Sequence, residues 1–390
     1  MMKSPIIKKG IQWGIRIGCV VAVFAYAFFF YGHEKTEERD TEQPTTSVEE
    51  KAETIAASMS PEDKAGQLLM AGIQHTTLDA EAAGQIADCH IGNIILFDRN
   101  MESQQQVRQL TAALRKQIAE QSHIAPFIAL DQEGGQVLRM RQDFPAVPGE
   151  EAIGESGRPE EAKKWAAITG QTLKNMGINV NFAPVVDLGS KAGRSYSTNP
   201  DTVTAFAMQA CQGYSEAGIW CALKHFPGIG RAKTDPHIDG DRVQASREEL
   251  EQQELKPFRD ILQQVQQDSV FVMVSNVTFP SLDAQWPACL SAHIMTDILR
   301  NTYQYQGLIL SDDMEMGAMA KHYAFSDMGV MAIKAGADMV LVCHEYGHER
   351  ETYEGLVKAY KEDEAFRQLA DEKVKRIIRI KLAKGDMMLP

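Results

Sequence analysis

The chain has 390 residues, of which 44% are hydrophobic and 24% charged. Those values belong to a folded globular protein and exclude disordered or fibrous classes. A net charge of -13 argues against a nucleic-acid partner, which recruits basic surface.

The N-terminus reads first as an anchor. Lys3, Lys8, Lys9 and Arg16 precede an apolar run from Ile17 to Tyr31. That order is a basic region followed by a hydrophobic one. Glu34, Glu37, Glu38 and Asp40 follow at once. Basic residues stay cytoplasmic, so the remainder is expected outside the cytoplasm. The expectation is a signal-anchor over 1–32, a polar linker over 33–46 and a catalytic domain over 47–390. Cleavage after Ala25-Tyr26-Ala27 is the alternative, giving a secreted protein. Cys19 admits a lipoprotein reading, which Arg16 and the apolar run after it oppose.

From Ser47 onward, short apolar segments alternate with long charged ones. The strand candidates are Gln67–Ile73, Gly92–Phe97, Pro126–Leu130, Ile178–Ala183, Trp220–Lys224, Ser269–Val274, Gly307–Leu310 and Asp338–Val342. Each is almost wholly apolar, as strands buried on both faces of a parallel sheet are. Helices are predicted over Ser103–Gln121, Pro159–Met176, Thr202–Ala217 and Ser246–Gln267, among others. Ser60 before Pro61 is a start signal, and Ser246 with Glu249 and Ser103 with Gln106 fit capping boxes. The fold class predicted is α/β, a single closed (β/α)8 TIM-type barrel, with a doubly wound open sheet as the alternative. A barrel takes about 250 residues or more, so this one fills the chain without a second domain.

The six cysteines show no metal-ligand spacing and read as buried small hydrophobes, with a disulfide open if the domain is exported. No nucleotide-binding glycine motif occurs. His75, His90 and His123 lack a partner at metal spacing and read as surface or structural residues. No cofactor and no metal are expected. Asp131 and Glu133 alone admit a metal-ligand reading.

A barrel puts its active site at the C-terminal ends of the strands. Polar residues gather there. The third strand candidate ends in Asp131-Gln132-Glu133 and the fourth runs on to Asp187. The fifth ends in Lys224-His225, the sixth in Ser275-Asn276 and the seventh in Ser311-Asp312-Asp313. Carboxylates beside a Lys-His pair fit a carbohydrate or phosphate site.

The phrases DQEGG (131–135), NFAPVVDL (181–188), GRSY (193–196), KHFPGIG (224–230), TDPH (234–237) and LILSDDMEMGA (308–318) carry a resemblance. In that order they resemble glycoside hydrolase family 3, specifically its bacterial β-N-acetylglucosaminidase branch. The resemblance implies a retaining enzyme with Asp312 as nucleophile and a His237–Asp235 dyad as acid/base. A histidine titrates near neutral pH and suits both proton transfers. The same resemblance implies substrate contacts from Asp131, Arg139, Arg194, Lys224 and His225, and pocket-shaping roles for Asp187 and Met314. The substrate it implies is a carbohydrate with β-linked N-acetylglucosamine, such as a peptidoglycan fragment, and a monomer is expected.

Two positions depart from the family pattern. Ile229 stands where a histidine is usual, and Pro236 where a small residue is usual. Proline fixes its own φ and restricts the residue before it, so Asp235 is biased towards an extended conformation. Three other readings stay open: a β-glucosidase or β-xylosidase, a β-N-acetylglucosaminide phosphorylase on the same fold, and a non-catalytic glycan-binding protein.

Overall fold

A computed structural model describes residues 47–189, 193–232 and 241–384. The anchor and linker expected over 1–46, and the Asp235–His237 pair, lie outside the described residues. No helix among the described residues is long and apolar enough to cross a membrane.

From Val48 the chain folds as one unit around a closed parallel barrel. Its strands are β1 (Leu69–Ala71), β2 (Asn93–Ile95), β3 (Phe127–Leu130), β4 (Val180–Asn181), β5 (Trp220–Phe226) and β6 (Val270–Val274). A short antiparallel hairpin follows, β7 (Thr278–Phe279) with β8 (Asp283–Pro287). The last two barrel strands are β9 (Ile309–Asp313) and β10 (Met339–Val342). Leu69 opposite Val340 and Ala71 opposite Val342 close the circle between β1 and β10. The closed barrel removes the open-sheet alternative.

All eight barrel strands match the apolar runs in the sequence, because each is buried on both faces apart from the partly exposed Asp312–Asp313 end of β9. Phe127, Trp220 and Phe271 fill the N-terminal end, with ring centroids 5.0, 5.3 and 6.2 Å apart. Lys381 stands over Phe127 and donates to Gln67 Oε1 at 2.8 Å. The buried Asp338, at the foot of β10, is held by Arg300 and Arg376. This end of the barrel is packed shut, and the polar chemistry lies at the other.

Helix starts follow their signals. Ser60 and Ser246 each form a capping box, with Asp63 and Glu249. Ser103 caps its helix through the Gln106 N–H, but Gln106 is not its reciprocal partner. The Gln106 side chain instead accepts from Glu102 N–H at 2.8 Å, so the predicted box is a simple cap. The helix predicted over Ser246–Gln267 is two helices, Arg247–Gln252 and Leu255–Leu262. Pro257 explains the break: it lacks an N–H and its ring crowds the carbonyl four residues back, at Gln253.

Five cysteines, Cys89, Cys211, Cys221, Cys289 and Cys343, are free and buried. They pack as small hydrophobes, and no disulfide joins them.

Candidate active site

The C-terminal strand ends bring the polar residues together. The DQEGG turn after β3 is built for close approach. Gly134 and Gly135 have φ of +93° and +56°, and a Cβ on Gly134 would meet Pro148 O at 2.4 Å. That turn aims Asp131 and Glu133 at β5. Lys224, buried in β5, places its Nζ 2.7 Å from Asp131 Oδ1 and 2.6 Å from Glu133 Oε1. Arg194 closes a fork on Glu133, with Nε and one terminal nitrogen each at 2.8 Å from its oxygens. Such bidentate contacts are the strongest ion pairs and fix orientation.

Burial alone pushes the Glu133 carboxyl up. The Lys224 ammonium and the Arg194 guanidinium outweigh it and hold the group at about 2. Burial likewise presses the Lys224 amine down, and Asp131 and Glu133 pull it above its ordinary value. Glu133, Lys224 and Arg194 are therefore charged at neutral pH. Both acids are engaged by Lys224, Asp131 also faces Arg139, and Glu133 is forked by Arg194. Among the described residues no group of three acids, histidines or cysteines is arranged to hold a metal.

Arg139 bridges outward from the same turn. It lies 3.0 Å from Asp98 Oδ2 and 3.8 Å from Asp131 Oδ2, and its guanidinium sits over the Phe97 ring at 5.6 Å. Asp98 also accepts from the Met140 N–H at 3.3 Å. The turn after β2 thus sets the arginine's position.

His225 is gripped by Asp187, from the segment after β4. Asp187 Oδ2 lies 2.7 Å from His225 Nδ1, and Oδ1 accepts the His225 N–H at 3.2 Å. A carboxylate only accepts, so the ring carries its proton on Nδ1 and keeps Nε2 for other contacts. Asp187 Oδ1 also accepts the Ile229 N–H at 2.8 Å. That contact uses backbone only. The Ile229 departure therefore leaves it intact.

Asp312 lies at the end of β9, partly exposed, and accepts the Asp313 N–H at 2.8 Å. Loss of water pushes its carboxyl above the ordinary aspartate value, while His225, the Asp313 N–H and Lys224 pull against that shift. Asp312, His225 and Lys224 are thus electrostatically coupled across β9 and β5. Met314 is buried behind them. The structure brings together Asp131, Arg139, Arg194, Lys224, His225 and Asp312.

The sequence reading gave Glu133 only a metal-ligand alternative and Asp187 only a pocket-shaping role; in the structure Glu133 anchors both Lys224 and Arg194, and Asp187 sets the ring of His225. Asp98, Arg99 and His344 had no part in that reading. Asp98 and Arg99 follow β2, and His344 follows β10. Glu315, after β9, accepts the N–H groups of Cys343 at 2.7 Å and Glu345 at 3.0 Å, and that of His344. The signal for Asp98 and His344 was available: both sit one to three residues past an apolar strand, where the barrel rule places function.

Over residues 60–380 the chain matches the model for the glycosyl hydrolase family 3 N terminal domain. The chain belongs to glycoside hydrolase family 3. It is 34% identical to the β-hexosaminidase A of Pseudoalteromonas piscicida over 68% of its own length and 48% of that protein's. It is 32% identical to the β-hexosaminidase of Idiomarina loihiensis over 71% of this chain and 84% of that one. The solved family 3 β-N-acetylglucosaminidase of Paenibacillus sp. superposes with a TM-score of 0.79 at 32% identity. That match covers 85% of this chain and 65% of the Paenibacillus one. The chain therefore spans about half to two thirds of two of these family 3 relatives, and most of the third.

Proposed function

We propose that this family 3 protein is a retaining β-N-acetylhexosaminidase that removes β-linked N-acetylglucosamine from glycans. The observation that carries the reading is Asp312 at the C-terminal end of β9, at the same barrel mouth as Lys224 and His225 on β5, one strand removed. Its β-hexosaminidase relatives support the same sugar.

In the proposed reaction Asp312 attacks the anomeric carbon and forms a covalent glycosyl-enzyme. The leaving oxygen takes a proton from His237, which Asp235 orients. Water then enters, loses its proton to His237, and releases the sugar with its β configuration kept. Asp131, Lys224, His225, Arg139 and Arg194 hold the ring by hydrogen bonds. The charged Asp131–Lys224–Glu133–Arg194 array stays fixed through both steps, so its donors and acceptors need no reorganisation in the transition state.

The basic residues ahead of the apolar run Ile17–Tyr31 support a membrane-anchored, extracytoplasmic enzyme. Peptidoglycan fragments are then the substrate class within reach. No cofactor takes part in this scheme.

The test is release of nitrophenol from 4-nitrophenyl β-N-acetylglucosaminide beside the β-glucoside, with the wild type and Asp312→Gly. Turnover of the N-acetyl substrate alone, lost in the variant, supports the reading. Preference for the glucoside, or full activity in Asp312→Gly, contradicts it.

A further inference from the structure

The loops after β2, β9 and β10 meet in a line of contacts that the proposed chemistry does not use. Arg99 Nη1 lies 3.0 Å from His344 Nδ1, and His344 Nε2 lies 3.1 Å from Asp313 Oδ2. Asp313 is the neighbour of Asp312 and gives it its N–H at 2.8 Å. Every link ends beside the nucleophile.

The chemistry of the partners fixes the proton. Arg99 is pinned by two carbonyls: its Nε donates to Ile73 O at 2.8 Å and its Nη2 to Cys343 O at 2.5 Å. A guanidinium has donors and no acceptor. His344 Nδ1 must then accept from Arg99, and the ring proton must lie on Nε2, donated to Asp313. An imidazolium has no lone pair and cannot make the first contact. The neutral Nε2–H ring is the one form that satisfies both neighbours.

The ring is also mechanically held. Phe97 packs on it with centroids 5.0 Å apart, and Arg99 covers the same Phe97 ring at 4.7 Å. Glu315 takes the backbone N–H groups on either side of His344. Asp313 Oδ1 accepts the Glu315 N–H at 3.0 Å, so both its oxygens are engaged.

We propose that Arg99 and His344 form a positioning relay for the nucleophile, which orients Asp313, and through it Asp312, only while His344 is the neutral Nε2–H ring. The relay rests on the reading of Asp312 as nucleophile. His344 is a positioning residue and touches no reacting atom. The charged groups facing the ring are Asp313 and Glu315 from the loop after β9 and Arg99 from the turn after β2. The hydrogen bond to Asp313 raises the ring's pKa above its ordinary value, opposed by burial and by Arg99. Acidification through that pKa puts a proton on Nδ1, facing Arg99, and breaks the relay.

Glutamine at 344 offers the same two functions, an accepting oxygen and a donating nitrogen, with no titration. The experiment measures kcat and KM against pH on 4-nitrophenyl β-N-acetylglucosaminide for wild type, His344→Ala and His344→Gln. The expected result is a loss in kcat of ~100-fold for His344→Ala with KM little changed, since a small misplacement of a reacting group costs about that much. His344→Gln recovers most of that loss at neutral pH and extends activity to lower pH. Long-range proton–nitrogen NMR of histidine-labelled protein gives a second readout. The signal lost in His344→Gln is expected to show Nε2 protonated and Nδ1 bare. Equal losses in Ala and Gln, an unchanged kcat in Ala, or a proton on Nδ1 at neutral pH would overturn the relay. If the wild type turns over no β-N-acetylglucosaminide, the functional reading fails, and the tautomer still decides the relay.

Discussion

Asp187 holds His225 at two points, ring Nδ1 at 2.7 Å and backbone N–H at 3.2 Å, and so presents the remaining ring nitrogen in one orientation. Residue and ring act as one unit. Asp187→Asn keeps the shape but puts an amide NH2 within reach of Nδ1 and so favours the other tautomer. A fall in kcat/KM of roughly 10–100-fold is expected, the range for loss of a partner that orients a ligating histidine. Steady-state kinetics on the nitrophenyl substrate check it, and a fall in KM alone would contradict it.

Lys224 neutralises two acids that are otherwise stranded together. Lys224→Met leaves Asp131 and Glu133 facing each other, with only Arg194 and Arg139 to offset them. Breaking a buried pair by removing one partner costs about 3–5 kcal/mol. Denaturant unfolding is expected to show a loss of that order. Lys224→Met with undiminished stability would mean that the array is wetter than its burial indicates.

The proposed mechanism implies an acid limit. In it Asp312 attacks as the carboxylate, so the proton must be off. Its pKa is raised by burial, against the pull of His225 and Lys224. Activity is therefore lost as pH falls through a value above the ordinary aspartate range of about 3.9. In His344→Gln the His344 titration is gone, and the acid limb of kcat/KM then reports Asp312. A kcat/KM profile of that variant flat down to the ordinary range would contradict the shift.

Glu349 gives a stability prediction independent of catalysis. It is buried in the helix Tyr346–Glu362, and burial pushes its carboxyl to about 8. Between the ordinary glutamate value and that point the folded state holds the proton and the unfolded state does not. The unfolded state binds fewer protons, so stability falls as pH rises across that window. Glu349→Gln removes this slope. Thermal melts are expected to favour the variant at pH 8 over pH 5, and a parallel shift at both pH values would contradict the assignment.

The barrel was legible in the sequence because parallel strands buried on both faces are apolar without alternation. Every strand candidate overlaps an observed strand, from Leu69–Ala71 to Met339–Val342. Helix capping was legible at Ser60 and Ser246, where a short-range pair decides the outcome. The helix break at Gln253 was not read, although Pro257 stood in the segment. The site was legible where a charged residue ends an apolar run, as at Asp131, Lys224 and Asp312. Partner choice was not. That Glu133 serves Lys224 and Arg194, or that Arg99 reaches His344, depends on which strands lie side by side. Sequence order places residues 99 and 344 far apart, and closure of β1 onto β10 brings their loops together.

The central claim is a covalent glycosyl-aspartate on Asp312. A 5-fluoro N-acetylglucosaminyl fluoride slows breakdown of such an intermediate, and peptide mass spectrometry locates it. The account predicts one sugar adduct on the peptide that carries Asp312, formed by the wild type and absent from Asp312→Gly. Full turnover with no adduct, or an adduct on another residue, would contradict it.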